Sequence, residues 1–130
     1  MSDIVEVLKT MPGYNGSCGR TDEEICLAEK ELKVTFADDY REYLRGIGLA
    51  CFDGRELTGL TEIRRLDVVE VTKEQRKLAE EADLSWYVIE EANIDGIVIW
   101  QGGDGAVYET VCGSKVKIIA ASLREYILKY

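Results

Sequence analysis

Apolar residues recur at helical spacing in three stretches: Ile25, Ala28 and Leu32; Tyr40, Tyr43, Leu44 and Ile47; and Leu123, Tyr126, Ile127 and Tyr130. Each set makes one apolar stripe that must pack on something. Thr21-Asp22-Glu23-Glu24 and Ser122-Leu123-Arg124-Glu125 read as capping boxes, in which a hydroxyl and a carboxylate three residues on satisfy each other's backbone N–H groups. Thr72-Lys73-Glu74-Gln75 fits the same motif and predicts a mid-chain helix starting there. Gly46 or Gly48 ends the second stripe. A short opening helix is expected from Asp3 to about Thr10, stopped before Pro12, and Gly13-Tyr14-Asn15-Gly16 reads as a loop.

Elsewhere the pattern is that of strands. Leu49–Phe52 and Glu56–Leu60 flank Asp53-Gly54, the pattern of a hairpin. Trp86–Glu90, Ile97–Gln101, Ala106–Val111 and Val116–Ile119 follow, each bounded by Gly, Asn or Ser. Ile97-Val98-Ile99-Trp100 is apolar on both faces, as a central strand covered on both sides requires. The order predicts an α+β fold: a mostly antiparallel sheet with N-terminal helices, one mid-chain helix and a C-terminal helix. No repeat or low-complexity linker breaks it, so residues 1–130 are read as one domain.

Between the two central strands lies Gly102-Gly103-Asp104-Gly105. A phosphate cradle should open a helix and bring a basic residue, whereas this cluster leads into the alternating Ala106–Val111. A calcium loop needs several alternating oxygen ligands, and the cluster offers one Asp. Gly and Asp tolerate the backbone angles of a tight reversal, so a hairpin turn is expected.

Charge changes the picture more than composition does. The net charge is −9, and no Lys or Arg occurs between Lys77 and Lys115. That interval holds Glu80, Glu81, Asp83, Glu90, Glu91, Asp95, Asp104 and Glu109. Such a local negative field attracts basic partners and repels nucleic-acid phosphates, although a solvated acidic face that only maintains solubility has the same composition. Direct nucleic-acid binding is therefore not expected. Trp86, Trp100 and Tyr108 either pack in the sheet interior or form an aromatic contact surface.

The chain contains no His, which removes the usual general base and the Ser-His and Cys-His nucleophile arrangements. Glu90 and Glu91 are adjacent on a strand and point to opposite faces, so they do not form an acid/base pair. No cofactor or metal is expected. Cys18, Cys26, Cys51 and Cys112 show no CxxC spacing and read as reduced, mostly buried thiols of a cytoplasmic protein. Met1-Ser2-Asp3-Ile4 has neither a basic start nor an apolar run of export length, and no stretch is apolar enough for a membrane span.

Residues 23–48, EEICLAEKELKVTFADDYREYLRGIG, resemble the opening of the SUKH superfamily, which includes the yeast cell-wall assembly regulator and many bacterial immunity proteins. Leu32, Asp39, Tyr40, Tyr43 and Leu44 match or conservatively replace that family's Leu-Gly-x-x-Leu-Pro-x-Asp-Tyr-x-x-Phe-Leu segment. Thr58-Gly59-Leu60, Val107-Tyr108-Glu109 and IIAASLREYIL at residues 118–128 are similar to its later motifs, and Val68-Val69-Glu70-Val71-Thr72 resembles its approach to the next helix. Ala37, Lys33 and Leu123 stand where the family prefers Pro, Gly and Phe.

The resemblance implies a non-catalytic protein-binding module, an immunity protein that neutralises a basic toxin domain such as a nuclease. A regulatory adaptor of the same fold and a carboxylate-dependent hydrolase are the alternatives. The expected partner-binding residues are Glu90, Glu91, Asp95, Asp104 and Glu109, with Trp100 or Tyr108 as an aromatic anchor if exposed.

Overall fold

A computed structural model describes residues 3–92, 96–111 and 116–130. Helix α1 (Ile4–Lys9) leads into a two-residue strand β1 (Asn15–Gly16), then α2 (Asp22–Leu32) and α3 (Asp38–Gly46). Strands β2 (Ala50–Phe52) and β3 (Arg55–Glu56) follow, then a short 3-10 turn and α4 (Val68–Leu78). A meander of β4 (Tyr87–Glu91), β5 (Val98–Gln101), β6 (Val107–Thr110) and β7 (Lys117–Ala120) precedes α5 (Leu123–Lys129). All ladders are antiparallel, in a small sheet β1-β2-β3 and a larger one β4-β5-β6-β7. The fold is α+β, as the sequence predicts.

Local chemistry explains most boundaries. The Thr21 hydroxyl accepts from the Glu24 N–H at 3.1 Å while Glu24 accepts from the Thr21 N–H at 3.0 Å, so the first capping box forms in full. At α5 the Ser122 hydroxyl accepts from the Glu125 N–H at 3.1 Å, but the Glu125 carboxylate reaches the N–H of Ala121 instead. Asp53 and Gly54 both hold positive φ, 48° and 74°, the pair of left-handed residues that a two-residue hairpin needs. The run expected as a strand over 56–60 instead leaves the small sheet after Glu56, and Leu57 bridges to Glu90 of β4. The segment expected as a loop around Asn15 pairs with β2.

The mid-chain helix starts earlier than Thr72. Asp67 caps it, accepting from the Glu70 N–H at 3.2 Å, and the Val68–Val71 run is its first turn rather than its approach. Thr72 lies fully buried in the second turn, and its hydroxyl accepts from the N–H of Val88 at 3.0 Å. A mid-helix hydroxyl thus completes the backbone bonding of β4 next to a bulge between Val88 and Glu90. Thr72→Val keeps the shape and strands that buried N–H, so a loss of about 1–3 kcal/mol is expected in chemical denaturation. A wild-type midpoint would show that the bond contributes nothing.

The larger sheet is covered on both faces. Tyr87, Ile89, Ile99 and Val107 join the main core with residues of α1, α2, α3 and α5. Val88, Val98 and Trp100 pack on the other face against Val71 of α4, with Ala79, Ala82, Trp86 and Tyr108 at the margin. Strand β5 is interior, between β4 and β6, which accounts for its lack of a polar face.

Tyrosine hydroxyls cross-link the main core. Tyr43 donates to the carbonyl of Thr58 at 2.8 Å and accepts from the Ala50 N–H at 3.0 Å. Tyr87 donates to Gln101 at 2.7 Å and accepts from the Ala37 N–H at 2.9 Å. Tyr40 shares a 2.9 Å hydrogen bond with the Thr58 hydroxyl. Asp39 accepts from Gln101 Nε2 at 3.0 Å and from the Leu123 N–H at 2.8 Å, so one carboxylate ties α3 to β5 and to the start of α5.

The thiols need one correction. Cys18 and Cys26 are exposed and Cys51 is half-buried, all three unpaired, because Cys18 sits in a loop and Cys26 on the outer side of α2. Cys112 lies outside the described residues.

Candidate functional site

The glycine cluster is the hairpin connection. The Gly102 N–H donates to the Ala106 carbonyl at 3.0 Å and the Gly105 N–H to the Gly102 carbonyl at 2.9 Å. Asp104 Oδ1 accepts from the Ala106 N–H at 3.1 Å, and Gly105 takes φ +99°.

The glycines also shape the surface beside them. A Cβ on Gly102 would lie 3.3 Å from Trp86 Cδ1, and one on Gly103 would lie 2.9 Å from the Thr35 carbonyl oxygen. Bare Gly102 leaves room for the Trp86 ring, which stacks on Tyr108 with centroids 3.9 Å apart and planes 12° from parallel, while bare Gly103 lets the turn approach the Thr35 backbone. The stack borders an open cavity of about 500 Å³, lined also by Lys33, Thr35, Ser85 and Asp104. Burial, then the Asp104 and Asp83 carboxylates, push the Tyr108 hydroxyl above its usual range, so both acids act on the ring's polar end.

The expected site residues divide. Asp104 is exposed and Tyr108 half-buried, and both line this cavity. Glu109 is half-buried; alternation along β6 turns it to the face opposite Tyr108, with Lys117 across the ladder. Glu91 is half-buried and accepts from Gln75 Nε2 on α4. Asp95 lies outside the described residues.

Two candidates are corrected. Trp100 is fully buried, its indole N–H donating to the Thr110 hydroxyl at 2.9 Å, so it is no surface anchor. Glu90 is 5% exposed and receives both arms of the Arg55 guanidinium, at 2.7 and 3.1 Å. Tyr126 donates to the same carboxylate at 2.6 Å, and Arg55 lies over the Phe52 and Tyr126 rings at 5.0 and 5.3 Å. Glu90 therefore joins β3, β4 and α5 and offers no free charge. The adjoining cleft, about 190 Å³, holds two arginines, but Arg65 is likewise bound to Glu56 at 2.7 Å.

Trp86, one of the three aromatic candidates in the sequence, is absent from the expected partner-binding set yet reaches the surface here. Its distinguishing signal is register: Tyr87 pairs with Gln101, which sets Trp86 beside Gly102 at the end of the ladder. Among the described residues, no group of three Cys, Asp or Glu is arranged to hold a metal, and no helix is long and apolar enough to cross a membrane.

The sequence matches, over residues 1–130, the model of the family described as SUKH_5, SMI1-KNR4 cell-wall. No curated protein matches the chain.

Proposed function

We propose that this chain, which belongs to the SUKH family of SMI1-KNR4 proteins, is a non-catalytic protein-binding module that works in the cytoplasm as an immunity protein. It neutralises a cognate bacterial toxin by covering a basic surface, the substrate groove of a nuclease being the best fit. The observation that supports this reading is the set of carboxylates on the Trp86 side of the larger sheet. Glu80, Glu81, Asp83 and Asp104 are exposed, and none has an ion-pair partner among the described residues. A field of this sign speeds encounter with a cationic groove and is screened over about 8 Å at physiological salt.

The cell-wall wording of the family description favours a second reading, a regulatory adaptor that recruits a cellular protein without inhibiting it. Co-purification identifies the partner, and an activity assay on that partner separates inhibition from recruitment. Glu80→Lys and Glu81→Lys together should then slow association several-fold at low salt and flatten its salt dependence. These side chains are exposed, so circular dichroism should stay native. Association at the wild-type rate would reject the acidic-surface mechanism.

A further inference from the structure

We infer that the cavity beside the Trp86–Tyr108 stack receives a guanidinium group, an arginine side chain presented by a basic polypeptide. The inference rests on the protein-binding reading above and adds to it the chemistry of one contact.

Three observations carry it. The aromatic pair is half-exposed and stacked at 3.9 Å, a flat apolar surface that water solvates poorly. Asp104 lies at its edge with Oδ1 engaged by the Ala106 N–H and Oδ2 without a partner among the described residues. The support beneath is fixed: Arg76 Nη2 donates to the Leu84 carbonyl at 2.7 Å, and Asp83 Oδ1 accepts from the Ser85 N–H and hydroxyl at 2.8 and 2.6 Å.

A planar, weakly hydrated cation fits such a place better than other groups. A guanidinium stacks on aromatic faces and forks to a carboxylate, whereas an ammonium is compact and strongly hydrated. Anions are opposed by Asp104 and Asp83. A neutral apolar group would leave Asp104 unused. Lys33 also lines the cavity and opposes a bound cation, which gives the site an internal control.

The test uses the whole chain and short capped Gly-Arg-Gly and Gly-Lys-Gly peptides, read by the indole N–H signals of its two tryptophans in NMR. The arginine peptide should shift the Trp86 signal saturably and leave buried Trp100 still, binding several-fold tighter than the lysine peptide. Tyr108→Leu should weaken it about tenfold and Asp104→Asn several-fold. Lys33→Asn, which suits the left-handed backbone at φ 58°, should tighten it. Absence of saturation, equal binding of the lysine peptide, or weaker binding to Lys33→Asn would each overturn the site. Should Tyr108→Leu fail to fold, the Asp104 and Lys33 variants decide alone. Loss of peptide binding with an intact charge effect on the partner removes only this contact. Saturable peptide binding with no charge effect on the partner removes only the acidic-surface reading.

Discussion

Glu90→Lys should unfold or nearly unfold the protein, and its effect should appear in stability before it appears in binding. The substitution sets a second cation against Arg55, whose guanidinium is largely buried and, among the described residues, has no other carboxylate within ion-pair distance. It also removes the acceptor of the Tyr126 hydroxyl. Breaking a buried ion pair from one side costs about 3–5 kcal/mol, and like-charge repulsion adds to that. Domains of this size have about 5–15 kcal/mol in total. Urea denaturation followed by circular dichroism should show the midpoint collapse. Arg55→Met combined with Glu90→Met should recover much of the loss, because two well-packed apolar groups replace two charges whose desolvation is expensive. A Glu90→Lys protein with a wild-type midpoint would return Glu90 to the surface set.

Alkaline pH should unfold the chain in one cooperative step. Tyr40, Tyr43, Tyr87 and Tyr126 are buried, and burial first of all holds each hydroxyl above its ordinary pKa near 10. For Tyr126 the Glu90 carboxylate adds to the rise. Below pH 10 these groups are protonated in folded and unfolded chains alike, so they make stability independent of pH. Above it the unfolded chain releases protons that the folded chain retains, and stability falls as pH rises towards the raised folded values. Four such groups give a slope of up to about 5 kcal/mol per pH unit. Tyrosinate absorbance should therefore rise in step with the loss of helix signal for these four, and separately for the more exposed Tyr14, Tyr108 and Tyr130. Ionisation of all seven near pH 10 with native circular dichroism would contradict the assignment.

What the sequence disclosed was whatever is decided within a few neighbours. Thr21 and Glu24 satisfy each other three residues apart, and the unbroken apolar run into Trp100 marks β5 as interior without knowledge of its cover. From the pattern α4 reads as starting too late, at Thr72, because the sequence carries a second cap that the pattern passes over. Asp67 with Glu70 competes with Thr72 and its followers, and the fold selects Asp67 because Val68, Val69, Val71 and Thr72 are all needed as buried surface. The fate of the carboxylates was hidden for a different reason. Nothing near Glu90 in sequence distinguishes it from Glu91; its neutralising partner is 35 positions upstream and its hydroxyl donor 36 downstream. Trp86 and Trp100 likewise look equivalent until register places one between Val88 and Tyr108 and the other beside a glycine.

The outer edge of the larger sheet bears on how the protein behaves when concentrated. Strand β7 is only four residues long, yet its exposed Ile118 and its place at the edge of the sheet among the described residues would otherwise make it a template for another chain. A bulge between Val107 and Tyr108 twists this margin, and Lys117 places a solvated charge on it. A strand added there would have to follow the twist and desolvate the ammonium. The same few residues that end the sheet thus raise the cost of edge-to-edge aggregation, in a chain whose net charge of −9 already keeps copies apart.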